Sequence, residues 1–197
     1  LYLVEYGKGR FAATVRFFTD VMTGIPSIFV GLFVYALLVQ PYFGFGTLMG
    51  GIALSILMLP IVVRSSEEIL KLVPTELREN SYALGARHWQ TVFKVVLPAA
   101  LPGVATGCML AVARAAGETA PIILTAFGAR QITLALQDGT GQSALPMLIY
   151  RGATQPFAGG IERAWGGALV LIGLVLVLTL LARFVASKSR VTPGGIS

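Results

Sequence analysis

Charge is the scarcest commodity in this 197-residue chain: only 12% of its residues are Asp, Glu, Lys or Arg. An ordinary soluble domain carries about 25%. With 55% hydrophobic residues and a mean hydropathy of +0.78, there is too little polar surface to clothe a water-soluble fold, and the composition reads as an integral membrane protein. Cysteine is nearly absent as well. Cys108 alone excludes an internal disulfide and any cysteine-based metal cluster, and its apolar surroundings suit a small packing residue. A single histidine, His88, leaves no His–His metal pair and no histidine-centred triad. Gly-x-x-x-x-Gly-Lys-Ser/Thr is missing, so the chain lacks the phosphate cradle needed to hydrolyse ATP. It is not read as an enzyme, and no cofactor is expected in it. The net charge of +6 raises the question of nucleic acid. The basic residues are spread beside apolar stretches, however, with no concentrated patch or binding fold to support that partner.

What the chain has is apolar length. From Val21 to Val63 no residue is charged, a run of 43, where about 20 residues cross a bilayer as a helix. Its middle, QPYFGFG (Gln40–Gly46), is a turn by Pro and Gly content. The run therefore predicts a hairpin of two spans, roughly 21–39 and 47–63. A third candidate covers roughly 99–126 and contains charges. A fourth covers roughly 166–183, with GGALVLIGLVLVLTLLA (Gly166–Ala182) uncharged throughout. An all-α membrane protein is the expected fold class.

Basic residues then set the orientation. With four spans, one side holds Lys8, Arg10, Arg16, Arg64, Lys71, Arg78, Arg87, Lys94, Arg183, Lys188 and Arg190. The other holds Arg130, Arg151 and Arg163. The imbalance places the 64–98 loop in the cytoplasm and the 127–163 segment outside. Leu1 is not a methionine, and LYLVEYGKGR has too short an apolar stretch for a signal peptide. It reads as the tail of a preceding helix, so the chain is expected to begin partway into a longer one.

The 64–98 loop is patterned. Ser65-Ser66-Glu67-Glu68 has capping-box spacing and would start a short helix, which Pro74 would end. A second short helix is expected from about Thr75 to Leu84, with Gly85 as its left-handed cap. Pro98 can open the next span. Short helices held against the membrane face and a solvated connector both fit these local signals.

Glu79-Asn80-Ser81, Gly85 and Val95-Val96-Leu97-Pro98 resemble the EAA loop of ABC-importer permeases, with Gly six residues after Glu and the aliphatic–Leu-Pro close ten residues beyond it. Asn80 and Ser81 replace the two alanines of that pattern; both are small. The resemblance implies that the short helix, through Glu79, Asn80, Ser81, Ala83 and Gly85, sits in a cleft of a separate ATP-hydrolysing subunit and transmits its closure. ATP and Mg would be bound there, not here.

VARAAGETAPIIL (Val112–Leu124) places Arg114 and Glu118 inside an apolar run. A charge at mid-helix costs about 2.5–3.5 kcal/mol on insertion scales. Arg114 lies 16 residues beyond Pro98, some ~24 Å along a helix. Arg114 and Glu118 are one turn apart and can pair. Pro121 cannot donate to the Gly117 carbonyl and should kink the helix beside Glu118. Gly103, Gly107, Ala111 and Ala115 form a stripe suited to close helix packing. One reading is a buried pair that fixes helix register. The other is a pathway in which the fork of Arg114 draws an oxyanion while Glu118 either steadies it or prevents overly tight binding.

ARAAGETAP (Ala113–Pro121) resembles the Arg-x-x-Gly-Glu-Thr-Ala-Pro signature of phosphate-specific ABC permeases of the Pst type. YLVEYG, GIPSIFVGL, YALGA, SALPMLIY and AWGGALVL are similar to segments of the A-type subunit of that family, in order along the chain. The resemblance implies a type I importer permease (MetI-like) fold lacking one or two N-terminal spans. It also implies phosphate import across a bacterial cytoplasmic membrane, with Arg114, Glu118 and Thr119 on the substrate path and Gly117 and Pro121 at the kink. Expected partners are a related C-type permease, two ATP-binding subunits, an external phosphate-binding protein and lipid. Another oxyanion, such as molybdate or sulfate, and a channel or secondary transporter with a buried Arg–Glu pair are the alternatives.

Overall fold

Proline and glycine decide where the helices of this chain stop. The computed structural model describes residues 1–7, 9–128, 139 and 141–188, with side chains through residue 184. Lys8, Arg130, Arg190 and part of the 127–163 segment lie outside the described residues. Short α1 (Tyr2–Glu5) precedes α2 (Arg10–Gly24) and α3 (Ser27–Val34), which continues as π-helix over Tyr35–Phe43. Then come α4 (Thr47–Lys71), α5 (Thr75–Ala83) and α6 (His88–Thr91). A π-helical stretch, Val92–Val96, joins α6 to α7 (Leu97–Ala115), followed by α8 (Ala120–Thr125), α9 (Leu145–Ala153) and α10 (Ala158–Lys188). Among the described residues there are no strands, only isolated bridges at Phe45–Gly139 and Phe127–Gln142.

Among the described residues, three helices are long and apolar enough to cross a membrane: Thr47–Lys71, His88–Ala115 and Ala158–Phe184. The pair Arg10–Gly24 and Ser27–Phe43, bent by 104°, makes a fourth if counted as one broken span. The chain is a multi-pass membrane protein whose outer surface is apolar. Leu169 and Trp165 are each 70% exposed, tolerable for side chains that face hydrocarbon, where all backbone polar groups are satisfied within helices.

Several bounds differ from the sequence expectation. The expected 21–39 span is not one straight helix. Pro26 has no N–H, and the residue before a proline is pushed out of the helical region; Ile25 sits at φ −75, ψ 126. The helix therefore breaks at Ile25–Pro26 and restarts at Ser27. Helix continues through Gln40 to Phe43, and the turn is confined to Gly44–Gly46, with Gly44 at φ +66. No helix begins at Ser65. The expected 47–63 span runs on unbroken to Lys71, and Ser65 Oγ donates back to the Val62 carbonyl at 3.3 Å. The expected 99–126 span starts earlier, at His88, and ends at Ala115.

α4 is the central element, packed against α7, α2, α3 and α8; α10 lies on α7 and α9. The small-residue stripe explains the closeness of α4 and α7. A Cβ added to Gly103 would stand 2.6 Å from Ile69 Cγ2, and one on Gly107 would stand 2.5 Å from Ser65 Oγ. Ala111 is fully buried beside them. Three small cores result, around Val34–Met49, Leu70–Val96 and Ile122–Met147.

The α5 end is held by charge. Glu67, 3% exposed, accepts from Arg16 Nε at 2.8 Å and lies 2.7 Å from Lys71 Nζ. Arg64 pairs with Asp20 on α2 and approaches Glu67 at 3.9 Å. α2 is thus fastened to the last turns of α4. The capping box expected of Ser65 and Glu68 does not form, because α4 runs on through both residues, and Glu67 between them is engaged by these cations.

Candidate functional site

The α2–α3 break, the middle of α4 and the end of α7 enclose a cavity of about 340 Å³. Its wall takes Thr23–Ser27 from the break, Leu57, Met58, Pro60 and Ile61 from α4, and Ala111, Arg114, Ala115 and Glu118. Hydrocarbon and polar groups share that lining, with Arg114 and Glu118 as its two charged residues and Thr23 and Ser27 adding hydroxyls.

Helix geometry places them. Ala111 and Ala115 face α4 and are buried, which leaves Arg114, one position before Ala115, turned outward and 70% exposed. α7 ends at Ala115, where the chain tightens: the Gly117 amide donates to the Arg114 carbonyl at 3.0 Å and the Glu118 amide to the Ala115 carbonyl at 3.1 Å. That turn brings the Glu118 side chain, 24% exposed, to 3.9 Å from Arg114 Nε. The separation exceeds hydrogen-bond distance. The pair is therefore neither buried nor closed, and both groups keep their hydrogen-bonding capacity toward the cavity.

The kink takes another form than expected. Helix has already ended before Pro121, so no interior carbonyl is freed. Pro121 occupies the first turn of α8, where a missing N–H costs nothing. Gly117 has no left-handed φ, and an added Cβ would meet only the Arg114 carbonyl at 3.5 Å. Thr119 is the residue before α8 and is not among those lining the cavity. The close approach sits elsewhere: a Cβ on Gly31 would lie 2.6 Å from Pro121 Cα, so α3 and α8 touch through backbone. Sequence reading missed Gly31, and it missed Thr23 and Ser27 as cavity residues. The Gly-Ile-Pro-Ser run inside an uncharged stretch was the available signal for the last two.

The α5 region forms a second candidate surface. Glu79, Asn80, Ala83 and Gly85 are exposed, and Gly85 takes φ +81. Ser81 points inward instead and shares a 2.9 Å hydrogen bond with Thr91. Arg78, also turned inward, donates to the carbonyls of Val73 at 2.6 Å and Leu70 at 3.1 Å and to Glu5 at 2.9 Å. Leu77, Tyr82, Leu84 and Trp89 add exposed apolar surface, Leu84 being 89% exposed.

A bundle of apolar helices around a charged cavity, with a short, rigidly anchored helix at one end, defines a membrane permease subunit of the type I importer fold. The same fold occurs in the inward-facing methionine ABC transporter, which matches 91% of this chain and 76% of that one at a TM-score of 0.72 and 21% identity. The chain belongs to the family described as binding-protein-dependent transport system inner membrane component, matched over residues 2–191. Among curated relatives, the phosphate transport system permease protein PstA 1 of Mycobacterium tuberculosis is 44% identical over 98% of this chain. The PstA proteins of Yersinia pestis and Haemophilus influenzae are each 41% identical, over 96% and 92% of the chain. The chain spans 64% of the length of each of these three relatives.

Proposed function

We propose that this chain is the membrane-spanning subunit of an ATP-driven importer of inorganic phosphate in a bacterial cytoplasmic membrane. The observation that carries the reading is an exposed guanidinium, Arg114, on a cavity between the α2–α3 break, α4 and α7 in a chain whose relatives bear the name of phosphate permeases. The guanidinium of Arg114 presents a planar fork suited to phosphate oxygens.

Energy enters at α5. In this reading Glu79, Asn80, Ala83, Gly85 and the apolar residues around them dock on a separate ATP-binding subunit that holds ATP and Mg. Ser81 and Arg78 transfer the displacement inward, because each is bonded to the neighbouring helices and not to the partner. The α5 end is then cytoplasmic, as the distribution of basic residues requires. A C-type permease, two ATP-binding subunits and an external phosphate-binding protein complete the assembly.

ATP-dependent uptake of radiolabelled phosphate by the reconstituted complex tests the assignment. Arg114→Gln should abolish uptake while the complex still assembles. Normal uptake by that variant would leave Arg114 a structural residue and remove the basis of the proposal.

A further inference from the structure

The proposed pathway leaves open which part Glu118 plays, since a carboxylate beside Arg114, the one cation among the described residues lining this cavity, ought to weaken anion binding. A structural role is poorly supported. Arg114 Nε and Glu118 Oε1 stand 3.9 Å apart, and no hydrogen bond engages either side chain among the described residues. A carboxylate that served only to brace the guanidinium would be expected to close on it at hydrogen-bond distance, bidentate where geometry allows. Here both groups line the cavity instead.

We infer that Glu118 is a specificity-determining residue that reads the proton of the transported oxyanion. This rests on the proposed function and assigns one residue's part in it. An oxyanion held by Arg114 must bring an oxygen close to Glu118, since the two groups line one cavity four residues apart. An ionised carboxylate is an acceptor only. Facing a P–OH or As–OH group it receives a charge-assisted hydrogen bond. Facing a bare anionic oxygen it has no proton to share, and the two negative charges repel. Phosphate and arsenate keep at least one proton at neutral pH, whereas sulfate and molybdate keep none. The cavity thus contains one group that attracts every tetrahedral oxyanion and one that rejects those without a proton. Specificity of this kind comes from a repulsive element set beside an attractive one. A site built to hydrogen-bond a substrate hydroxyl discriminates strongly against analogues that lack it.

Ser27 fits the same scheme. It lines the cavity at the start of α3, and no hydrogen bond engages its hydroxyl among the described residues. Thr23, by contrast, spends its hydroxyl proton on the carbonyls of Thr19 and Asp20. Ser27 can donate to an anionic oxygen without telling one oxyanion from another, so the discrimination falls to Glu118.

The test is equilibrium dialysis of radiolabelled phosphate with the purified transport complex, without its external binding protein so that no upstream filter contributes. Arsenate, sulfate and molybdate serve as competitors. In the wild-type complex, arsenate should displace phosphate while sulfate and molybdate compete at least roughly a hundredfold less well. Glu118→Gln should narrow that gap by tenfold or more, because the amide can donate to a bare oxygen. Glu118→Asp, which keeps the carboxylate, should retain a preference for protonated anions. Elution of each variant as an intact complex shows that it has folded, and Glu118→Asp provides a second, more conservative variant to set against the wild-type series where Glu118→Gln does not assemble. Equal competition by sulfate in the wild type, or unchanged discrimination in Glu118→Gln, would overturn the role of Glu118 while leaving Arg114 as the anion contact. Absence of saturable phosphate binding to the wild type, or undiminished binding in Arg114→Gln, would overturn the proposed site itself.

Discussion

The guanidinium of Arg78 donates to Glu5 Oε1 at 2.9 Å, joining α5 to α1 across 73 residues of sequence. Both groups are well covered, at 17% and 7% exposed, and Arg78 also takes the carbonyls of Leu70 and Val73 at the end of α4. One side chain thus satisfies carbonyls that the end of α4 leaves without helical partners and fixes α5 at a set distance from them.

Arg78→Ala should therefore destabilise the solubilised protein by about 3 kcal/mol, since it strands a covered carboxylate together with the α4 carbonyls. Thermal unfolding in detergent checks the value. Arg78→Lys should recover only part of the loss, because a single ammonium cannot reach all three acceptors in the planar geometry that Arg provides.

Glu67→Ala removes the acceptor shared by Arg16 and Lys71. A loss of roughly 2–3 kcal/mol is expected, below the figure for a fully buried pair because both cations are partly solvated. A double-mutant cycle with Arg16→Ala should give a coupling of about 1 kcal/mol. Strict additivity of the two substitutions would show that α2 and α4 are not joined here.

Gly31 bears on the packing of α3 and α8. With Pro121 Cα only 2.6 Å from where a Cβ would stand, Gly31→Ala must push backbone apart. A cost of about 1–3 kcal/mol is expected, and Gly31→Leu should cost more. A melting temperature unchanged by Gly31→Ala would mean that the two helices are less tightly apposed.

Gly85→Val tests the end of α5. At φ +81 a β-branched residue is strained, by about 1–2 kcal/mol, and the last turn of α5 should fray. Under the proposed coupling, ATP hydrolysis by the complex should continue while phosphate uptake falls. Gly85→Asn, which tolerates the left-handed region, should behave closer to wild type. Equal uptake per ATP in wild type and Gly85→Val would speak against α5 as the transmitting element.

Much of this fold was legible because its signals are local. Pro74 and Gly85 bracket a helix expected over Thr75–Leu84 and found over Thr75–Ala83, and each acts on its own backbone whatever surrounds it. Apolar length gave the membrane class, and the Gly-Ala stripe on α7 gave a packing face. What could not be read depends on partners distant in sequence. Ser65 and Glu68 have capping-box spacing, yet α4 runs on through them, and only the arrival of Arg16 from α2 reveals the use of Glu67 between them. Ser81 stands in the motif beside exposed Glu79 and Asn80, yet Thr91 turns it inward. Arg114 looked deeply embedded on the assumption of one unbroken helix to residue 126; the stop at Ala115 makes it the end of α7 and the edge of a cavity. Pro26 lay in plain view, but a proline within an uncharged stretch does not disclose how sharp the resulting bend will be.

That bend divides the molecule's loyalties. Below Pro26, α2 is tied by Arg16 to the same turns of α4 that hold α5. Above it, α3 rests on α8 through Gly31. The cavity bearing Arg114 straddles the seam, with walls drawn from both blocks. A small tilt of one block against the other therefore alters the width of the chamber like the jaw of a wrench.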